Sequence, residues 1–136
     1  MHSSFYLSVS AILYFYLSFE VIKQRRVTST AYGYGKDTMA GHVGAHSNFA
    51  SYTPLFLILL IIAEIQWALP FWAVHLIGVA FLIGRLLHFA SLTKHEHQDP
   101  PSFRFRVVGM GTTFTCMLLL AGYILVRYAL KLAMVQ

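Results

Sequence analysis

Gly41-His42-Val43-Gly44-Ala45-His46-Ser47-Asn48-Phe49-Ala50-Ser51-Tyr52-Thr53-Pro54 runs directly into Leu55-Phe56-Leu57-Ile58-Leu59-Leu60-Ile61-Ile62-Ala63. A polar half-helix feeds an apolar one. Lipid accepts the second half and rejects the first, because hydrocarbon offers no partner to a polar group. The first half must therefore face protein or water, and polar residues inside a membrane bundle mark a functional site by default.

The rest of the chain agrees that the solvent is lipid. Of its 136 residues 57% are hydrophobic and 11% charged, with a mean hydropathy of +0.63, whereas soluble domains carry roughly a quarter charged residues. Ten Lys and Arg outnumber the five acids Glu20, Asp37, Glu64, Glu96 and Asp99. Such a surplus suits nucleic acid, a membrane surface or an anionic substrate, and the apolar content argues against nucleic acid. The one cysteine, Cys116, lies in an apolar run and reads as a small hydrophobe. Met1-His2-Ser3-Ser4-Phe5 lacks the positive region of a cleaved signal, so the apolar run after it is expected to stay as the first helix.

Apolar runs and breakers predict an all-α integral membrane protein, a four-helix up-down bundle with helices near 5–26, 38–66, 71–92 and 103–130. The first ends in Lys23-Gln24-Arg25-Arg26. Asp37 or Thr38 can cap the second, at about 43 Å longer than a hydrocarbon core of about 30 Å. Pro54 predicts a kink at the polar-to-apolar join. Pro70 suits the first position of the third helix, and Trp67 and Trp72 suit a headgroup belt. Residues 93–101 form a polar loop closed by Pro100 and Pro101, after which Ser102 can cap the fourth helix. Lys23, Arg25, Arg26, Lys36, Lys94, Arg104 and Arg106 gather at one side against Arg127 and Lys131 at the other, which puts the odd loops in the cytosol and both termini opposite.

Counting about 1.5 Å per residue from the basic side places Asn48 about 15 Å, Arg85 about 10 Å and Arg106 about 6 Å deep, with Arg25 and Arg26 at the boundary. All four helices thus bring polar groups to one half of the membrane. A lone Arg there costs roughly 3 kcal/mol on insertion scales. Arg85 needs a partner, and Glu20, at similar depth, is a candidate. Taken singly, these arginines read as an ion pair and ordinary anchors. Taken together, with Asn48 and Tyr52 one turn apart, they suit a small anionic ligand. Gly41, Gly44, Asn48 and Ser51 recur at three- and four-residue steps, which also reads as a close-packing face.

The histidines read as core or interfacial residues. His75 and His88 are 13 residues apart, about 140° out of phase on one helix, and His75 lacks a histidine at its depth. His42 and His46 are one turn apart with no carboxylate to complete a metal site. His95 and His97, beside Glu96 and Asp99, suit at most an adventitious ion. No metal is expected.

Glu20-Val21-Ile22-Lys23-Gln24-Arg25-Arg26, His46-x-Asn48-x-x-x-Tyr52-x-Pro54-Leu55-Phe56-Leu57, Gly84-Arg85-Leu86-Leu87-His88 and Arg106-Val107-Val108-Gly109-Met110 together resemble the MAPEG family, membrane-associated proteins of eicosanoid and glutathione metabolism. The resemblance covers nearly the whole chain and is closest in kind to small bacterial-type or microsomal glutathione transferase-like members. It implies a homotrimer in a bacterial inner membrane or the endoplasmic reticulum, with glutathione as co-substrate bound between subunits on the cytosolic side. Arg25 or Arg26, Asn48, Tyr52 and Arg85 match positions that hold glutathione in related members, and Arg106 matches the position facing the thiol.

The implied chemistry is transfer from, or peroxide reduction by, a thiolate. A nearby arginine favours the charged form of a thiol. At an effective dielectric of 20, a charge about 4 Å away supplies roughly 4 kcal/mol. The chain departs from the family pattern at Gly44, where members carry Arg, and at Ser51, where they carry Glu; Leu92 replaces a tyrosine of some members. Losing both charges together avoids stranding one in a poorly solvated site. The leading expectation is a glutathione or small-thiol transferase or peroxidase acting on hydrophobic electrophiles, with Arg106 stabilising the thiolate. The alternative is a non-catalytic MAPEG-like scaffold that binds a lipid or a partner protein. A proton-coupled exporter would use Glu20, which lies too near the helix end for a midplane transport site.

Overall fold

The computed structural model describes residues 1–35, 37–94 and 102–134. Four helices follow one another: α1 Ser3–Thr28, α2 Asp37–Ile65, α3 Phe71–Thr93 and α4 Arg104–Ala133. Each is long and apolar enough to cross a bilayer. The chain is an all-α integral membrane protein.

The helix ends follow from local chemistry. Ser29 turns left-handed after α1 at φ 51°, and the N–H of Thr30 returns to the Arg25 carbonyl at 3.1 Å. Such a reversal satisfies carbonyls that the helix itself cannot pair. Between α2 and α3 the turn is tight, with the Leu69 N–H donating to the Ala63 carbonyl at 2.9 Å. Pro70 occupies the cap of α3 with extended backbone rather than its first helical position. Its carbonyl accepts from Ala73 and Val74 at 2.9 and 3.1 Å. Ser102 does not cap α4 either. Phe103 holds the cap position without a side-chain bond, leaving Ser102 one residue too early. The loop at 95–101, with its two prolines and the His95/His97 group, lies outside the described residues, as do Lys36 and the side chain of Asp37.

α2 and α3 form the central pair. α1 and α4 flank them and barely touch each other. Phe56 stacks on Phe81 with ring centroids 3.7 Å apart, and Leu60, Val74 and Leu120 are fully buried beside them. Two crossings need glycine. A Cβ at Gly78 would stand 2.5 Å from the Tyr6 ring, and one at Gly109 would stand 2.5 Å from the Gly84 carbonyl oxygen. Small residues at such points let helices approach closely, which is how packing holds helices together where lipid supplies no hydrophobic drive.

A second set of polar contacts closes the end where α1 and α3 begin. The Glu64 carboxylate accepts from the backbone N–H groups of His2 and Ser3, the latter at 2.8 Å, so α2 caps the positive end of α1. The Tyr6 hydroxyl lies 2.9 Å from His75 Nδ1. The His2 and His75 rings meet edge to face at 5.1 Å. His75 therefore does have a histidine at its depth, since the turn into α1 brings His2 level with the start of α3. Trp67 is another correction: only 7% exposed, it packs inward near Tyr128 and Lys131 instead of joining a headgroup belt. Trp72, 60% exposed, faces outward.

Several helix hydroxyls satisfy themselves along their own backbone. Ser8, Ser18, Thr28, Ser51, Thr93, Thr112 and Thr113 each donate to the carbonyl four residues earlier, the usual way a hydroxyl is hidden from lipid.

Candidate functional site

Four polar side chains converge because two glycines let α4 come close to α3. Gly84 and Gly109 face each other, and a Cβ on the second would also press on the His88 backbone N at 2.9 Å. Arg85, next in sequence to Gly84, consequently reaches α4. Its Nη2 donates to the Thr113 hydroxyl and to the Gly109 carbonyl at 3.4 Å, and lies 3.5 Å from Met110 Sδ. Its Nη1 donates to Asn48 Oδ1 on α2 at 2.8 Å. The guanidinium also lies 5.9 Å from the Tyr52 ring and 5.7 Å from the Phe81 ring, within range of cation–π attraction. One side chain thereby ties three helices.

Every one of those acceptors is neutral. Arg85 is 4% exposed, its Nε–H has no partner among the described residues, and no described carboxylate lies within ion-pair distance of it. Glu20, one candidate partner, sits instead 3.9 Å from His42 Nε2. Similar depth did not bring the two together because α1 packs chiefly on α2, and Glu20 points to that seam. His42 Nδ1 is 2.8 Å from the Thr38 carbonyl. A carbonyl can only accept, so Nδ1 is the donor in that contact. A carboxylate does therefore stand by His42, contrary to expectation, yet no group of three His, Cys, Asp or Glu among the described residues could hold a metal. His46 Nε2 pairs with the Ser18 hydroxyl at 3.1 Å.

His88 belongs to the cluster and was read in the sequence only as a core or interfacial histidine. It is 3% exposed, and the charges of Arg85 and Arg106 and the Arg106 backbone all act on it. The signal was present in Arg85-x-x-His88, three residues apart and hence on one helix face. Arg106 is exposed in the first turn of α4. Arg85 thus meets both Asn48 and Tyr52, with His88 and Arg106 beyond them toward the basic end.

Arg25 and Arg26 are placed apart from that contact set. Arg25 folds over the loop that follows α1, donating to the carbonyls of Thr30, Ala31 and Gly33 at 3.4, 3.0 and 3.3 Å. With Arg26, Ser29 and Thr30 it lines a cavity of about 350 Å³. Within one chain no hydrogen bond joins either arginine to Arg85, Asn48 or Tyr52. Gly44 stands opposite Leu92, which a Cβ there would meet at 3.9 Å, an ordinary packing distance. Ser51 is exposed, with its hydroxyl donating to the Ser47 carbonyl at 2.8 Å.

Comparison with known proteins agrees with this architecture. The family model described as MAPEG family matches residues 3–126. The inner membrane protein YecN of Escherichia coli strain K12 is 32% identical over 121 residues, covering 88% of this chain and 87% of YecN. YecN of Escherichia coli O6:H1 matches with the same identity and coverage.

Proposed function

The chain belongs to the MAPEG family, and from that premise we propose that it is a thiol transferase or peroxidase of a bacterial inner membrane. Glutathione or a similar small anionic thiol is the co-substrate, and the second substrate is a hydrophobic electrophile entering from the bilayer. The observation that carries the reading is the buried Arg85, held only by neutral acceptors, with His88 and Arg106 beside it. A cationic cluster without a described carboxylate is suited to an anion that supplies the missing charge.

The roles divide by exposure. Arg85 is a positioning residue, because its Nη atoms are already bonded within the fold; it orients Asn48 and Tyr52 toward the ligand. Arg106 is exposed enough to meet the thiol and stabilises its thiolate. In conjugation the thiolate sulfur forms the new S–C bond, the thiol proton passes to water, and the leaving group departs with the electron pair. In peroxide reduction two thiols become one disulfide while the hydroperoxide becomes an alcohol and water. Arg25 and Arg26 join the site from a neighbouring subunit of a homotrimer, and the basic loops face the cytosol.

Purified protein should conjugate glutathione to a lipophilic electrophile and should melt at a higher temperature in millimolar glutathione. Absence of both effects would sink the proposal. Arg106→Ala should lower turnover about a hundredfold, in line with removal of one charge-stabilising donor, while leaving the melting temperature within a degree or two.

Gly44 and Ser51 favour a second reading, a scaffold without catalysis that binds a lipid or another membrane protein. Neither position offers charge: Gly44 has no side chain and the Ser51 hydroxyl is bonded to its own helix. On that reading the wild-type protein has no thiol-dependent turnover for Arg106→Ala to remove.

A further inference from the structure

The two arginines that close α1 are used differently. Arg25 donates to the carbonyls of Thr30, Ala31 and Gly33, which folds the following loop over its own side chain. The last carbonyls of the helix are engaged too, that of Arg25 by the Thr30 N–H at 3.1 Å and that of Arg26 by the Ser29 N–H at 3.4 Å. Bare carbonyls at a helix C-terminus repel anions. Here they are bonded, and the charge of Arg25 lies over the loop. Beside it is the cavity of about 350 Å³ lined by Ile22, Arg25, Arg26, Ser29, Thr30 and Ala31. Its polar walls are open, because Arg26 and Ser29 are exposed and Arg25 and Thr30 half-buried. The Arg26 guanidinium makes no hydrogen bond among the described residues. Lys23, also exposed, stands one turn earlier on the same side of the helix. Glu20, the one carboxylate on α1, is turned to His42. The pocket is cationic.

Depth selects the anion. About 20 helical residues cross a hydrocarbon core of about 30 Å, so a core entered at Ser3 ends near Ile22, and residues 25–30 lie in the headgroup layer beyond it. Lipid phosphates occupy that layer. Apolar groups stand exposed at the same level, Ile22 and Val27 on the helix and Tyr32 in the loop, as suits a membrane interface. A soluble anion would use the cations alone, whereas a lipid uses the cations and the apolar rim together. We propose that the cavity at the end of α1 seats the phosphodiester of an anionic phospholipid such as phosphatidylglycerol. Arg26 and the Ser29 hydroxyl donate to its phosphate oxygens, and Ile22 lies against the start of its acyl chains. The proposal does not rest on the thiol reading. The two meet only at these arginines, where lipid and thiol compete.

Native mass spectrometry of the full chain from mild detergent tests it, with phosphatidylglycerol, phosphatidylethanolamine and phosphatidylcholine of identical acyl chains and no thiol present. Phosphatidylglycerol should be retained about tenfold better than the other two, whose ammonium groups are repelled by Lys23 and Arg25. Arg26→Gln should remove about tenfold of that retention, the scale of one charge-assisted hydrogen bond. Arg26→Lys should recover part of it, since charge remains without the planar fork. Free of lipid, Arg26→Gln should melt with the parent, because the guanidinium makes no hydrogen bond in the described fold, so lost binding is distinguishable from misfolding. Arg127→Gln, near the opposite end of the bundle, should leave retention unchanged. A photoreactive diazirine on the glycerol headgroup should label within 22–31. Equal retention of the three lipids, a loss with Arg127→Gln as large as with Arg26→Gln, or labelling outside that stretch would each overturn the proposal. Displacement of the lipid by an equal concentration of glycerol phosphate would overturn it too, since a soluble anion would then suffice.

Discussion

Arg85 donates to Asn48 and Thr113 across two helix boundaries, so its removal acts through what it leaves behind. Arg85→Met strands the Asn48 amide oxygen in a half-buried site, and a loss of about 1 kcal/mol is expected in detergent unfolding, the low end of the cost of an orphaned acceptor. Adding Asn48→Leu should recover part of that loss, because both ends of the contact are then apolar. A double variant no more stable than Arg85→Met alone would show that the guanidinium acts through its rings and backbone contacts instead. Arg85→Lys should not rescue the parent stability, since a point-charge ammonium cannot bridge α2 and α4 with two directed forks. That Arg85 needs partners was legible in the sequence, since a charge at that depth cannot stand alone. Which partners it finds was not. Depth follows from counting residues, but each residue turns a helix by about 100°, and only packing fixes which way Glu20 or Asn48 points.

Between elements, the α3–α4 crossing at Gly84 and Gly109 is the tightest constraint. Gly109→Ala drives a methyl group to 2.5 Å from a carbonyl oxygen, and about 3 kcal/mol of destabilisation is expected from overpacking against backbone. Gly111→Ala is the control. It has nothing within 4 Å of the added Cβ, and should be neutral or gain up to about 1 kcal/mol from helix propensity. Equal melting temperatures for the two variants would remove the crossing from the account of what positions Arg85 and His88. The existence of four spans was readable because bilayer thickness fixes helix length; Ser3–Thr28 extends the expected 5–26 at both ends, and Arg104–Ala133 is shifted a little toward the C-terminus from the expected 103–130. Trp67 and Ser102 were misread for one reason. Capping and belt preferences are local averages, whereas the side facing the core is set by the neighbouring helix.

The whole molecule is a central α2–α3 pair with two flanks that scarcely meet, and large apolar side chains such as Phe15, Phe19, Leu118 and Leu125 cover the outside. The proposed homotrimer predicts three chains per particle in native mass spectrometry from mild detergent, with Arg25 or Arg26 cross-linking to a neighbour's α4; a monomer that still turns over thiol would refute the shared site. The short α2–α3 turn has a further consequence, for biogenesis. When α3 leaves the ribosome, α4 has not yet been made, so Thr113 and Gly109 cannot receive Arg85. Asn48 on α2 is already available. A tight connection between the two spans lets them enter the bilayer as one hairpin with the arginine already bonded, so Asn48→Leu should lower the membrane-inserted yield of a chain truncated before α4 more than that of the complete chain.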